Sequence, residues 1–122
     1  PLGGIYTALR STKADAVLFL ACDMPFVTDT LMRTVLSRIG RDDNALFVRS
    51  AGKPGFPFVL RRETLPIVCQ QIAQGRLSLG ELSSGLRSKL FNPPARQRAQ
   101  LRNVNTPEDW ARAVRLFERR TG

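Results

Sequence analysis

The residue best placed to do chemistry is Asp23. It directly follows the apolar run Val17-Leu18-Phe19-Leu20-Ala21-Cys22, the pattern of a strand buried on both faces of a parallel sheet. Pro25 comes two positions later; it cannot donate to a sheet ladder and so closes the strand. The carboxylate is therefore predicted at the carboxyl end of a central strand, the edge where open α/β sheets place their ligands. The competing reading is local, because an Asp after a strand also turns the chain and caps the next segment. The chain has no histidine, which excludes Ser-His-Asp and Cys-His catalysis and leaves oxygen donors for any divalent cation. Asp23 is the first candidate to hold one.

A second group of polar residues lies in Asn103-Val104-Asn105-Thr106-Pro107-Glu108-Asp109. Leu101 to Val104 reads as the end of a strand. Thr106 is an N-cap residue, Pro107 fits the first helical position, and Glu108 and Asp109 suit the positive end of a helix. Asn103 and Asn105 thus fall where a strand crosses into a helix. Each carries both a donor and an acceptor, so it can read a ligand edge or hold a loop equally well. Trp110, Ala113, Val114 and Phe117 follow at helical spacing and form a core face. Arg10, Lys53 and Arg61 are cations able to reach an anionic ligand, without a ranking among them.

These groups must be positioned by alternating elements. Pro1 to Gly4 reads as a turn and Ile5 to Leu9 as the start of a helix. Thr28 or Asp29 caps a helix carrying Leu31, Val35, Leu36 and Ile39, which Gly40 stops. Ala45 to Val48 and Phe56 to Leu60 read as two strands paired through the turn residues Ala51 to Gly55. Pro57 predicts that the second of these lies at an edge or begins there. A helix over Glu63 to Gln74 takes Pro66 in its first turn and stops at Gly75. Ser78-x-x-Glu81 is a capping box for a short helix ending near Leu86. Leu90-Phe91 is a strand fragment broken by Asn92-Pro93-Pro94, and Gln97 to Gln100 reads as exposed. Strands alternating with helices, with one hairpin, predict a three-layer α/β fold with a mainly parallel sheet and an antiparallel excursion, built as one domain over residues 1–122.

The 122 residues carry a formal net charge of +9, which favours an anionic partner. The basic residues are scattered, and no groove-reading motif or aromatic interleaving accompanies them, which argues against nucleic acid. No apolar run approaches the roughly 18–20 residues of a membrane span, and no basic-then-apolar leader opens the sequence. Cys22 and Cys69 both lie in apolar segments and read as buried, inert thiols of a cytoplasmic protein.

Three stretches, in this order, resemble the nucleotidyltransferase family that includes molybdenum cofactor guanylyltransferase: Pro1-Leu2-Gly3-Gly4, Cys22-Asp23-Met24-Pro25-Phe26, and Asn103 to Asp109. The resemblance spans the whole chain. It implies a Rossmann-like nucleotidyltransferase fold and transfer of GMP from Mg-GTP to the terminal phosphate of molybdopterin. On this likeness Asp23 matches the catalytic, Mg²⁺-binding aspartate beside the nucleotide phosphates. Gly4 matches a glycine near the nucleotide, where a side chain would obstruct the approach of backbone and ligand. Asn103 and Asn105 match asparagines on the pterin side. The family's glycine-rich phosphate loop has no counterpart here, so the resemblance implies an amino-terminal part beyond this chain. The chain alone is then expected to be inactive, with a sheet edge open to self-association or to pairing with that segment. Cytidylyl transfer, another phosphorylated acceptor, and a non-catalytic anion- or partner-binding module are the alternatives.

Overall fold

The computed structural model describes residues 2–21, 23–76 and 78–101. Its elements run in the order α1 (Leu2–Ser11), β1 (Ala16–Phe19), α2 (Asp29–Arg38), β2 (Ala45–Ser50), β3 (Lys53–Arg61), α3 (Leu65–Ala73), α4 (Leu79–Gly85), β4 (Lys89–Phe91) and α5 (Ala95–Arg98), with 3-10 turns at Arg62–Thr64 and Ala99–Leu101. The strands form one sheet in the order β1-β3-β2-β4. β3 runs antiparallel to both β1 and β2, and β2 is parallel to β4. Three strands therefore point the same way, and β3 is the antiparallel excursion.

Alternation along the strands divides the core into two layers. Ala45, Phe47, Phe58 and Leu60 face α1, α3 and α4, meeting Leu2, Ile5, Leu9, Val68, Leu82 and Leu86. Leu46, Val48 and Val59 face the other way, onto Leu31 and Val35 of α2 and onto Met24 and Leu101. The sheet is thus sandwiched between helical layers, as predicted. Phe58 is the centre of the first layer: its ring stacks on Phe47 at 4.6 Å and on Phe19 at 5.1 Å.

Local signals account for the element ends. Thr28 accepts from Leu31 N–H as the N-cap of α2. Ser78 accepts from Glu81 N–H as the predicted N-cap of α4, and its hydroxyl, rather than the backbone N–H of a full capping box, is what the Glu81 carboxylate is seen to accept from. After α3, Arg76 N–H reaches Gln71 O and Gly75 N–H reaches Ile72 O, with Gly75 at φ +72°, a Schellman stop. The α2–β2 connection is tied down by Arg61, which donates to Gly40 O at 2.8 Å and to Asp43 O at 3.3 Å.

Several expectations are corrected. Leu2 to Gly4 form the first turn of α1 rather than a loop. β1 is shorter than the apolar run and half-buried, and among the described residues it pairs only with β3, so it is not central there. β3, expected to lie at an edge or to begin at Pro57, is interior and begins at Lys53. The register explains why it tolerates the proline: Phe47 pairs with Phe58 but Val48 pairs with Gly55, leaving Phe56 and Pro57 in a bulge. The β1 ladder ends at Phe19 opposite Phe58, so neither neighbour needs an N–H from Pro57. Of Leu101 to Val104, expected to end a strand, Leu101 closes a 3-10 turn and the other three lie outside the described residues. Cys69 lies on the exposed side of α3, and Cys22 is outside the described residues.

Candidate functional site

Because β1, β2 and β4 run in one direction, their carboxyl ends lie along one edge of the sheet. This edge gathers the β1–α2 loop, the β2–β3 turn and the β4–α5 connection. It is where an α/β sheet offers a crevice for a ligand.

Asp23 lies in the β1–α2 loop, half-buried. The residues around it explain its pose. Met24 and Phe26 are 9% and 5% exposed and act as apolar anchors, while Pro25 between them is exposed. Met24 N–H donates to Ala21 O at 3.3 Å, closing the turn that contains Asp23. Burial of two neighbours holds the backbone, and Asp23 between them and the strand stays partly exposed. The ion pairs among the described residues, Arg33–Asp29 and Lys89–Asp43, do not involve it. No group of three or more candidate metal ligands occurs among the described residues. A single partly exposed carboxylate fits Mg²⁺, which keeps waters and draws its remaining ligands from phosphates; it does not fit a cation that needs a closed protein cage.

The loop is also held from its far end. Thr28 donates through N–H and hydroxyl to Gln100 Oε1, at 3.2 and 2.8 Å. Leu101, the next residue, shares a buried cluster with Met24. The chain therefore arrives beside the Asp23 loop just before it continues toward Asn103. Asn103 and Asn105 themselves lie outside the described residues, as does the helix predicted to follow them.

Gly4 is placed in the first turn of α1, exposed, and an added Cβ would meet nothing within 4 Å. Packing among the described residues therefore does not require glycine there. Of the cations named from sequence, Arg61 is committed to the α2–β2 connection. Arg10 lies over the Tyr6 ring at 5.9 Å. Lys53 opens β3 and is exposed.

The residues that sequence reasoning missed are Arg49, Asn92 and Arg98. With Ser50, Gly52 and Leu101 they line a cavity of about 400 Å³ on the same edge. Two of them carried a signal in the sequence: Arg49 and Asn92 stand at the carboxyl ends of predicted strands, where ligand-binding residues collect.

Comparison with known proteins identifies the family and the fold. The profile of the MobA-like NTP transferase domain matches residues 1–88. A molybdenum cofactor guanylyltransferase of Pseudomonas entomophila is 33% identical over 110 residues, covering 88% of this chain and 57% of its own length. A protein of Aquifex aeolicus superposes with a TM-score of 0.77 at 22% identity, over 86% of this chain and 56% of its own. The molybdopterin-guanine dinucleotide biosynthesis protein A of Archaeoglobus fulgidus gives a TM-score of 0.72 at 21% identity, over 98% of this chain and 63% of its own. The chain thus spans little more than half the length of these proteins. The fold is the Rossmann-like nucleotidyltransferase fold.

Proposed function

The chain belongs to the family of MobA-like NTP transferase domains, and on that premise we propose that the intact protein transfers GMP from Mg-GTP to molybdopterin. This chain supplies the metal side and the pterin side of the site. A terminal phosphate oxygen of the acceptor forms a new bond to the α-phosphorus of GTP, the bond from that phosphorus to the β-bridging oxygen breaks, and pyrophosphate leaves. The chemistry asks little covalent work of the protein; it asks for alignment and charge stabilisation.

Asp23 holds Mg²⁺ through its carboxylate. When bound, Mg²⁺ supplies the positive charge that offsets the phosphates during in-line displacement. Gly4 lies on the nucleotide side, where its lack of a side chain leaves room for a ligand. Asn103 and Asn105 orient the pterin through amide donors and acceptors.

The observation that carries the reading is the placement of Asp23. The residue is half-buried at the carboxyl edge of the sheet, on a loop anchored by Met24 and Phe26, with no ion-pair partner among the described residues. The test is transfer of labelled nucleotide by the intact protein to molybdopterin, with GTP and CTP in competition and Mg²⁺ present. Formation of the guanine dinucleotide is expected; preference for CTP would move the protein to cytidylyl transfer.

A further inference from the structure

The cavity beside the Asp23 edge is formed by the tip of the β2–β3 hairpin and the chain leaving β4. β2 and β4 pair in parallel, with Val48 opposite Phe91, so Arg49 and Asn92 emerge side by side at their carboxyl ends. Arg98 reaches the same space from α5, and its Nε donates to Pro93 O at 3.3 Å. That bond engages Nε and leaves the terminal N–H groups for another acceptor. Among the described residues none that lines the cavity is acidic. Neither arginine takes part in the ion pairs among the described residues. Two arginines thus line one concavity that has no acidic residue in its described lining, in a chain that already carries net charge +9. A concave surface of one sign concentrates counter-ions.

We propose that this cavity is a subsite for a phosphate ester, with Arg49 and Arg98 holding the phosphate and Asn92 contacting the organic moiety. The inference rests on the reading of this edge as the substrate edge. A dianion matches two cations, and planar guanidinium forks match phosphate oxygens two at a time. The volume, about 400 Å³, lies within the range of small-molecule pockets. Asn92 offers both a donor and an acceptor to the remainder of the ligand. The described lining has no aromatic residue, so it lacks the stacking platform of a single-stranded nucleic-acid site.

The test is titration of the intact protein with glycerol 3-phosphate and with inorganic phosphate, in the absence of nucleotide and divalent metal. Binding is followed by calorimetry and by the arginine Nε–Hε resonances. Saturable binding of the ester is expected, with shifts confined to Arg49 and Arg98. Arg49→Gln and Arg98→Gln should each weaken it about tenfold or more, as loss of a charge-assisted hydrogen bond implies. Arg33→Gln, on exposed α2, should leave it unchanged. Unchanged affinity in both cavity variants, or shifts spread over all surface arginines, would overturn the site. Equal affinity for inorganic phosphate would overturn the role given to Asn92. Because no nucleotide or metal is present, failure here is separate from failure of Asp23 to support transfer.

Discussion

Thr28 and Gln100, 72 residues apart, are joined twice through a single oxygen: Gln100 Oε1 accepts from both the backbone N–H and the hydroxyl of Thr28. The same hydroxyl accepts from Leu31 N–H as the cap of α2. One amide therefore ties the start of α2, the end of the Asp23 loop and the turn leading toward Asn103. Gln100→Ala removes both bonds and strands a part-buried donor, and should destabilise the intact protein by about 1–2 kcal/mol. Since both bonds are accepted by the side-chain oxygen, Gln100→Glu should restore most of the loss. Chemical denaturation of the three forms checks this; a glutamate variant no better than the alanine one would contradict the clasp.

Gly85, at the end of α4, is expected to behave against its helix propensity. Alanine ordinarily stabilises a helix relative to glycine by about 1 kcal/mol. Here an added Cβ would collide with Nε2 of Gln71, which is 5% exposed and donates to Glu81 O at 3.2 Å. The amide would have to surrender that bond inside a packed layer, so Gly85→Ala should cost about 1–3 kcal/mol. Gln71→Ala in the same chain should recover part of it, because the clash disappears. Thermal melts of the single and double variants give the coupling.

Ala51 occupies the first turn position of the β2–β3 hairpin at φ +51°, followed by Gly52 at φ +76°. Both central residues are left-handed, the signature of a type I′ turn, which favours Asn-Gly. The left-handed conformation costs alanine about 1–2 kcal/mol. Ala51→Asn should therefore raise stability by up to about 1 kcal/mol while leaving the hairpin register intact. A lower melting temperature in that variant would contradict the assigned turn.

The parts of the fold that could be read in advance were those decided within a few residues. The caps at Thr28 and Ser78, the stop at Gly75 and the hairpin turn, expected over Ala51 to Gly55 and formed at Ala51-Gly52, each depend on local hydrogen bonds or on φ. The parts that could not be read depend on partners remote in the chain. Pro57 looked like an edge signal because its missing N–H was legible, whereas the bulge that makes the loss harmless exists only through the register of β3 with β2. The apolar run before Asp23 looked central, but strand order is not encoded in the run itself. Cys69 sits in an apolar segment yet faces outward, because Val68 and Gln71 define the buried side of α3.

The site divides in the same way. Asp23 could be singled out because an acid between an apolar run and a proline marks the carboxyl end of a strand, although the run itself is only half-buried. Gln100, grouped from sequence with exposed polar residues, gains its role only when folding brings it against Thr28. Arg49 and Arg98 are ordinary members of a basic chain until the parallel pairing of β2 with β4 places their ends around one cavity.

Most of the proposed chemistry depends on the Asp23 carboxylate. The substitution Asp23→Asn keeps shape and volume while removing the charge, so in the intact protein it separates chemistry from folding. With Mg²⁺, GTP and molybdopterin, guanylyl transfer should fall at least about 100-fold, the scale on which loss of one transition-state electrostatic contact is felt, while the melting temperature stays close to that of the parent. Transfer within about twofold of the parent, on the same scale, would contradict the assignment of Asp23 to the metal and phosphates.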